Sequence, residues 1–353
     1  MFRFLWTTDL HLGFLHGKHP KPNIMLEDFD RICQYAISNN ILHLIVTGDI
    51  SDKSALPVDT TAAFISLLKK YNGRLHIYLM RGNHDYLHDS MTSIDLFVEM
   101  ESLFSTIHVI ANHTVTTIDG VSVVFEPYPD DCSFDTEEAG LPPSLIFTHL
   151  DVVGGLADNG TPMKKGTTFV PNGDFYCNGH MHTCQVYDNW AAIGPPWQVR
   201  MGEDEKRYFA VVEAKYKTVQ DVEVLSVDVQ KVKFQPSVTL RQVYVEQPED
   251  FQLIHNVQNV LYSVTVAPGL QAPVDYFKGF RNILNWRAER LTAVKEDTVS
   301  RPNVTKSLSD LLLTHIAASN LTNDVAAAVA NIHQRLDASR ASDVRRAVAS
   351  LSK

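Results

Sequence analysis

Five short motifs within the first 182 residues combine Asp, His and Asn, whose side chains bind divalent metal ions. In chain order they are Asp9-Leu10-His11, Gly48-Asp49, Gly82-Asn83-His84-Asp85, His149 and Gly179-His180-Met181-His182. The candidate metal ligands among them are Asp9, His11, Asp49, Asn83, His149, His180 and His182. Two metal ions about 3.5–4 Å apart can clamp the attacking and leaving oxygens of a phosphoryl transfer. The pattern therefore predicts a two-metal centre for phosphoester hydrolysis.

Within this interpretation, two residues have distinct roles. Asp49 is the candidate bridge between the ions, because it is central in the series and follows a glycine that lets backbone approach the site. His84 is assigned to chemistry, as a general acid or hydrogen-bond donor to the leaving oxygen, with Asp85 orienting it.

Each motif taken alone has an ordinary structural explanation. Asn83 and Asp85 are common turn residues, and an isolated His149 is more often structural than a ligand. A single shared site explains all five motifs together. The metal interpretation is therefore favoured over coincidence.

The motifs are positioned by short apolar runs that directly precede them. These strand-like runs occupy residues 2–7, 41–47, 74–80, 145–148 and 175–178. Runs with a helical period of apolar residues lie between and after the first three, at 26–39, 60–70 and 91–104. Further strand-like runs occur at 107–110, 115–118, 121–127, 190–193, 208–213 and 222–227. The sequence predicts an α/β fold with two packed sheets between helices, in which the carboxyl ends of strands gather the motifs.

The rest of the chain predicts two smaller units. We expect domains at 1–235, at 236–300 and at 301–353. The second combines strand-like runs at 238–245, 261–266 and 291–294 with an aromatic helix at 274–286, which is typical of a small α+β domain. The third is helical. Its apolar stripe, which suits either docking of a partner or packing on its own domain, consists of Val325, Val329, Ile332 and Leu336.

Composition excludes some classes of protein. The 353 residues are 44% hydrophobic and 20% charged, and no run of 18 apolar residues predicts a membrane span. The N-terminus lacks the features of a signal peptide, and four scattered cysteines (Cys33, Cys132, Cys177, Cys184) form no CxxC pair, so we expect reduced thiols and a cytoplasmic protein. A net charge of −10 argues against a free-standing, non-specific DNA binder, although two metal ions keep a site locally positive.

The ordered motifs resemble those of the calcineurin-like metallophosphoesterases, over roughly residues 1–215. The resemblance implies a two-sheet αββα sandwich. It implies that one ion is held by Asp9, His11, Asp49 and His182, and the other by Asp49, Asn83, His149 and His180. It also implies that His84 assists catalysis.

Finer details favour one branch of this superfamily. Serine/threonine phosphatases continue Gly-Asp with a pattern ending Asp-Arg-Gly, and the arginine that would grip a phosphomonoester is absent here. The chain instead is similar to the SbcD-type DNA-repair nucleases, which carry Gly-Asp-x-x-Asp. The stretch from Gly179 through Pro195-Pro196-Trp197 to the acidic run 203–205 resembles the nuclease subunit of bacteriophage recombination complexes.

That resemblance implies a metal-dependent phosphodiesterase that cleaves DNA as exonuclease or endonuclease in recombination and double-strand-break processing. It further implies two Mn²⁺ ions, an SbcC-type (SMC-like) ATPase partner bound by the C-terminal helices, and a homodimer formed near residues 60–70 and 91–104. The location would be the host cytoplasm for a phage protein. The alternatives are a cyclic-nucleotide phosphodiesterase and a non-catalytic scaffold. Candidate contacts to DNA, with solvated loops as the common alternative, are the basic loop 16–21 and Arg281, Arg287 and Arg290.

Overall fold

The computed structural model describes residues 1–87, 91–129, 139–170, 172–267, 270, 277 and 279–288. Its first sheet has six strands in the order β12-β11-β1-β2-β3-β4. Four of them are parallel: β1 (Phe2–Thr7), β2 (His43–Thr47), β3 (His76–Met80) and β4 (Ile107–Ile110). The long hairpin of β11 (Arg207–Val219) and β12 (Val222–Phe234) pairs antiparallel to β1.

Three helices connect the parallel strands and cover one face of this sheet. They are α1 (Ile24–Ser38), α2 (Val58–Tyr71) and α3 (Ser93–Met100), and a short 3₁₀ turn at Glu101–Leu103 follows α3. Because side chains alternate along a strand, Leu44 packs with the helices whereas Ile45 faces the second sheet. The parallel strands are buried on both faces, which explains why they read as continuous apolar runs.

The second sheet also has six strands, in the order β5-β6-β7-β8-β10-β9. They are β5 (Thr114–Ile118), β6 (Val121–Phe125), β7 (Leu145–Thr148), β8 (Phe175–Asn178), β9 (Gln185–Val186) and β10 (Trp190–Ala192). Asp119 and Gly120 both have positive φ and close the hairpin between β5 and β6. Phe4 of the first sheet meets Phe147 of the second edge to face, at 5.5 Å between ring centroids. The predicted two-sheet α/β fold is confirmed.

A third, smaller sheet follows the β11–β12 hairpin in the chain. Its strands β13 (Thr239–Val245), β14 (Val260–Val266) and β15 (Ile283–Ala288) are all parallel, and a 3₁₀ helix at Pro248–Leu253 packs beside them. The predicted helix at 274–286 is wrong at its end, because residues 283–286 belong to β15. Gly279 has a φ of 92°, which interrupts a helix, and Asn282 then donates to the carbonyls of His255, Val257 and Val260.

Buried polar contacts join the small sheet and the residues before it to helix α1 and to the loop after β10. Ser237 donates to the buried carboxylate of Asp28 in α1, and Gln198 exchanges two hydrogen bonds with the backbone of Leu240. The domain boundaries themselves stay a prediction. The strand predicted at 291–294 and the helical tail at 301–353, with its stripe, lie outside the described residues, as does Cys132.

None of the helices in the described part of the chain combines the length and hydropathy that a membrane span requires.

Candidate metal centre

The motif residues converge where strands of both sheets end. Asp9 and His11 follow β1, Asp49 follows β2, Asn83 follows β3, His149 follows β7 and the His180/His182 pair follows β8. The structure brings all seven predicted ligands together with His84, and most of these side chains are buried.

The backbone at this edge is unusual. The backbone φ angles of Asp9, His11, Asp49 and His180 lie between 41° and 67°. This left-handed region is sparsely populated by residues other than glycine, and such conformations cost about 1–3 kcal/mol each. Strain concentrated on four neighbouring residues is typical of a functional site.

One group of ligand atoms faces Asp9 and one oxygen of Asp49. His11 Nε2 lies 4.0 Å from Asp9 Oδ1 and 3.5 Å from Asp49 Oδ2. His182 Nε2 lies 3.7 Å from Asp9 Oδ1. These separations suit four atoms arranged around one ion, because a ligand atom lies about 2.0–2.2 Å from a bound Zn²⁺.

A second group faces the other oxygen of Asp49. His149 Nε2 lies 3.3 Å from Asp49 Oδ1 and 2.9 Å from Asn83 Oδ1. His180 Nδ1 lies 2.9 Å from Asn83 Oδ1. Asp49 thus presents one carboxylate oxygen to each group, as a bridging ligand would.

Hydrogen bonds on the far side of the rings fix their tautomers. His149 Nδ1 donates to the carbonyl of Thr47 at 2.8 Å, which leaves the Nε2 lone pair facing the centre. His182 Nδ1 lies 2.7 Å from Glu203 Oε1 and likewise turns Nε2 inward. Histidine ligands in metal sites are commonly held by a carbonyl or carboxylate in this way.

The donor set fits divalent cations. Asp9 Oδ1 and His11 Nε2 are buried and have no hydrogen-bond partner among the described residues. A buried polar atom without a partner costs about 1–3 kcal/mol, so converging atoms of this kind indicate a bound cation. In the second group, two ring nitrogens each lie 2.9 Å from the Asn83 oxygen, close enough for all three atoms to share one ion. Mixed oxygen and imidazole ligands suit Mn²⁺, Fe²⁺ or Zn²⁺. Assignment of the seven residues as ligands stays a prediction.

Electrostatics also favour positive charge at this centre. Burial raises the pKa of Asp9 and lowers the pKa of His11 to about 3. Burial opposes ionisation of Asp49 as well, but the neighbouring charge of His149 holds the pKa of Asp49 well below its usual range. Burial works against protonation of His149, yet the carboxylate of Asp49 raises the pKa of His149 to about 9. Two buried carboxylates therefore attract a proton or a cation.

His84 stands apart from both groups. Its Nδ1 lies 2.7 Å from the carbonyl oxygen of Asp52 and therefore carries a hydrogen. Its Nε2 lies 4.0 Å from Asp49 Oδ2, and the ring is about one-third exposed. The ring packs edge to face on His11 at 4.6 Å between centroids. His84 Nε2 thus reaches the centre from the solvent side, where a leaving oxygen would depart.

Asp85 does not orient His84, contrary to the prediction. Its carboxylate accepts hydrogen bonds from the backbone N–H groups of Ile50, Ser51 and Gly82, and from the Ser51 hydroxyl. Asp85 is fully buried, so its four donors hold the loops after β2 and β3 together. The carbonyl of Asp52 takes the role that was expected of Asp85.

Glycines allow the loops to pack this closely. A β-carbon at Gly179 would lie 2.0 Å from the carbonyl oxygen of Thr47 and 2.6 Å from His149 Nδ1. A β-carbon at Gly48 would lie 2.2 Å from the same nitrogen. Larger residues at either position would displace the His149 ring.

Two supporting residues were missed by sequence reasoning. Glu203 belongs to the acidic run 203–205, which entered the sequence analysis only as part of a resemblance, and it is buried between His182 and the Arg207 guanidinium. Trp197 is buried and donates from Nε1 to the carbonyl of Leu10, so its loop braces the first motif. The position of Trp197 shortly after the last histidine motif was the one sequence feature that could have indicated this supporting role.

The loop 16–21, a predicted DNA contact, is largely engaged within the protein. His16 Nδ1 lies 3.5 Å from Asp59 Oδ1, Lys21 pairs with Glu27 at 3.4 Å, and His19 contacts the carbonyl of Gln258. Arg281 is exposed. The side chain of Arg287 and the whole of Arg290 lie outside the described residues, and a role in DNA binding stays a prediction for all of these positions.

Comparison with known proteins places this centre in a family. The model of the calcineurin-like phosphoesterases matches residues 2–184, just over half of the chain. The chain belongs to that family. It is therefore a metal-dependent phosphoester hydrolase of a family that binds two divalent ions. No curated protein sequence matches the chain.

Solved structures give weaker likenesses. An archaeal phosphodiesterase is 10% identical, with a TM-score of 0.33, and the match covers 64% of this chain and 99% of the other. Vps29 of Chaetomium thermophilum is 15% identical, with a TM-score of 0.29, over 67% of this chain and 98% of its own.

Proposed function

We propose that this calcineurin-like phosphoesterase is a DNA phosphodiesterase of the SbcD type, acting with Mn²⁺ in recombination and double-strand-break processing. In this proposal it is a homodimer and works with an SMC-like ATPase. We propose a diester rather than a monoester substrate because of one residue, at the position where serine/threonine phosphatases have an arginine. The loop reads Asp52-Lys53-Ser54 where phosphatases have Asp-Arg-Gly, and the Lys53 side chain is exposed.

The chemistry of the two side chains supports a diester. Arginine offers a planar fork that binds a dianionic monoester through two parallel hydrogen bonds, whereas lysine is a flexible point charge. Each phosphate of DNA carries a single negative charge and needs no such fork. The same loop retains Asp52, whose carbonyl oxygen holds His84 Nδ1.

The residues of the centre would divide the work as follows. Asp9, His11, Asp49 and His182 would hold one ion, and Asp49, Asn83, His149 and His180 the other. When bound, the two ions would neutralise charge on the phosphate and activate water. His84, when protonated on both ring nitrogens, would donate from Nε2 to the departing sugar oxygen while its Nδ1–H stays bonded to the Asp52 carbonyl.

The test offers the Mn²⁺-loaded protein four substrates: linear duplex DNA, single-stranded DNA, a 3′,5′-cyclic nucleotide and p-nitrophenyl phosphate. We expect DNA cleavage that is lost in Asp49→Asn and in His84→Ala. His108→Ala, the same change at a histidine of β4 that stacks on His76 and Tyr78, is the matched control and should cleave normally. Turnover of the cyclic nucleotide without DNA cleavage would favour the small-molecule alternative. Inactivity on every substrate, with the SMC-like ATPase present, would favour a scaffold.

A further inference from the structure

Arg81 immediately precedes the Gly82-Asn83 motif and is held rigidly at the end of β3. Its backbone N–H donates to the carbonyl of Ile110, and its carbonyl accepts from the N–H of Tyr128, both at 3.0 Å. Its side chain is only partly exposed. Nε donates to the carbonyl oxygen of Tyr128 at 2.6 Å, which fixes the direction of the guanidinium.

The two terminal nitrogens of this guanidinium have no partner in the described part of the chain. No carboxylate there lies within 4 Å of Arg81, and no hydrogen bond of Nη1 or Nη2 is formed. Asp95 is the carboxylate with the largest influence on it, and Asp95 is already bonded to the backbone and hydroxyl of Thr92. A half-buried arginine is usually paired, so an oriented but unpaired guanidinium indicates an anionic ligand.

Two tyrosines stand beside the guanidinium. The Arg81 guanidinium carbon lies 5.3 Å from the ring centroid of Tyr86. The rings of Tyr86 and Tyr128 are 5.7 Å apart at an interplanar angle of 68°, and both are partly exposed. Aromatic faces beside a cation are the usual means by which proteins bind unpaired bases and the phosphates that connect them.

We propose that Arg81, Tyr86 and Tyr128 form a binding site for a single-stranded nucleotide next to the scissile phosphate. The guanidinium binds a neighbouring phosphate through its free nitrogens, and a tyrosine ring stacks on an unpaired base. A base inside a duplex has both faces covered, so the site selects frayed or single-stranded ends. This inference rests on the proposed function, because it requires a polynucleotide substrate. It also gives an acidic protein a local cation for DNA next to its metal centre.

The test compares two substrates in the same Mn²⁺-loaded full-length variants. One is a single-stranded oligonucleotide. The other is methyl p-nitrophenyl phosphate, a diester with one phosphate and no nucleobase. The variants are Arg81→Gln, which removes the charge, and Tyr86→Leu, which removes the ring. Tyr86→Phe keeps the ring and is the matched control. Thermal unfolding followed by circular dichroism identifies any variant that fails to fold.

We expect kcat/KM for the oligonucleotide to fall roughly tenfold or more in Arg81→Gln and Tyr86→Leu, mainly through KM. Tyr86→Phe should stay within about twofold, and the small diester should be hydrolysed within about twofold of the native rate by all three. An unchanged ratio of the two activities in Arg81→Gln and Tyr86→Leu would overturn the site but not the proposed function. Hydrolysis of the small diester by native protein without any DNA cleavage would overturn the proposed function, and the site with it.

Discussion

Replacement of Glu203 by glutamine tests whether the hydrogen bond to the outer nitrogen of His182 controls ion binding. Glu203 is buried and its two oxygens have different partners. Oε1 accepts from His182 Nδ1 at 2.7 Å, whereas Oε2 accepts from Arg207 Nη2 at 2.8 Å and from the Val199 N–H at 3.0 Å. Burial disfavours protonation of His182, but the hydrogen bond to Glu203 raises the pKa of His182. The carboxylate therefore makes the imidazole a better donor to a cation.

The size of the effect follows from this geometry. Glutamine has the same shape and still offers one oxygen, but it lacks the charge that polarises the imidazole. Loss of such an outer partner typically lowers metal affinity by about 10–100-fold, or about 1.4–2.8 kcal/mol. Only the ion held by Asp9, His11 and His182 should be affected, because Glu203 touches no ligand of the other group in the structure.

The assay is calorimetric titration of Mn²⁺ into metal-free protein. We expect native protein to bind two ions, and Glu203→Gln to bind one of them about 10–100-fold more weakly. Glu205→Gln is the matched control, because this exposed carboxylate pairs with an exposed Arg241 at 2.9 Å. Two ions bound by Glu203→Gln with native affinities would refute the reasoning. Glu203→Ala is a harsher change that should cost about 3–5 kcal/mol of unfolding free energy, since it leaves buried Arg207 unpaired.

Three further predictions concern catalysis, packing and pH. His84→Ala should lower kcat by about 10²-fold or more while calorimetry still detects two bound ions, and weak binding of both would instead make His84 a ligand. Gly179→Ala should lower the unfolding free energy by about 1–3 kcal/mol, because the new β-carbon would collide with the Thr47 carbonyl. The midpoint of urea unfolding measures this loss, and an unchanged midpoint would contradict this packing. Burial lowers the pKa of His43 and of His108, so the unfolded chain takes up more protons below about pH 6.5. The unfolding free energy should therefore fall as the pH is lowered through about 6.5, and His108→Asn should reduce that slope in urea titrations.

The fold and the location of the centre could be predicted because strand ends are marked locally in the sequence. Each candidate ligand directly follows an apolar run, and the observed strands Phe2–Thr7, Leu145–Thr148 and Phe175–Asn178 match the predicted runs at both ends. Parallel strands bring their carboxyl ends to one edge, so the convergence of Asp9 and Asp49 required no knowledge of loop geometry.

The supporting residues could not be predicted, because their role depends on distant partners. Glu203 stands between Gly202 and Asp204, and nothing local distinguishes a buried carboxylate from its exposed neighbours. Asp85 resembled a partner of adjacent His84, yet its donors come from residues more than 30 positions earlier as well as from Gly82. The error at 274–286 has a related cause. Aromatic spacing favoured a helix, whereas parallel pairing with β14 makes residues 283–288 a strand.

The backbone strain of the centre is maintained by hydrogen bonds between its loops. The N–H of Asp9 donates to the carbonyl of Gly48, and the N–H of His11 donates to the carbonyl of Asp49. The N–H of His180 donates to Asp9 Oδ2, which also accepts from the Thr8 hydroxyl. One carboxylate oxygen of Asp9 therefore fixes the loops after β1 and β8, and the other is left to face the ligands. These hydrogen bonds hold residues in left-handed conformations and fix the loops that carry the ligand atoms, so the strain is balanced within the centre itself.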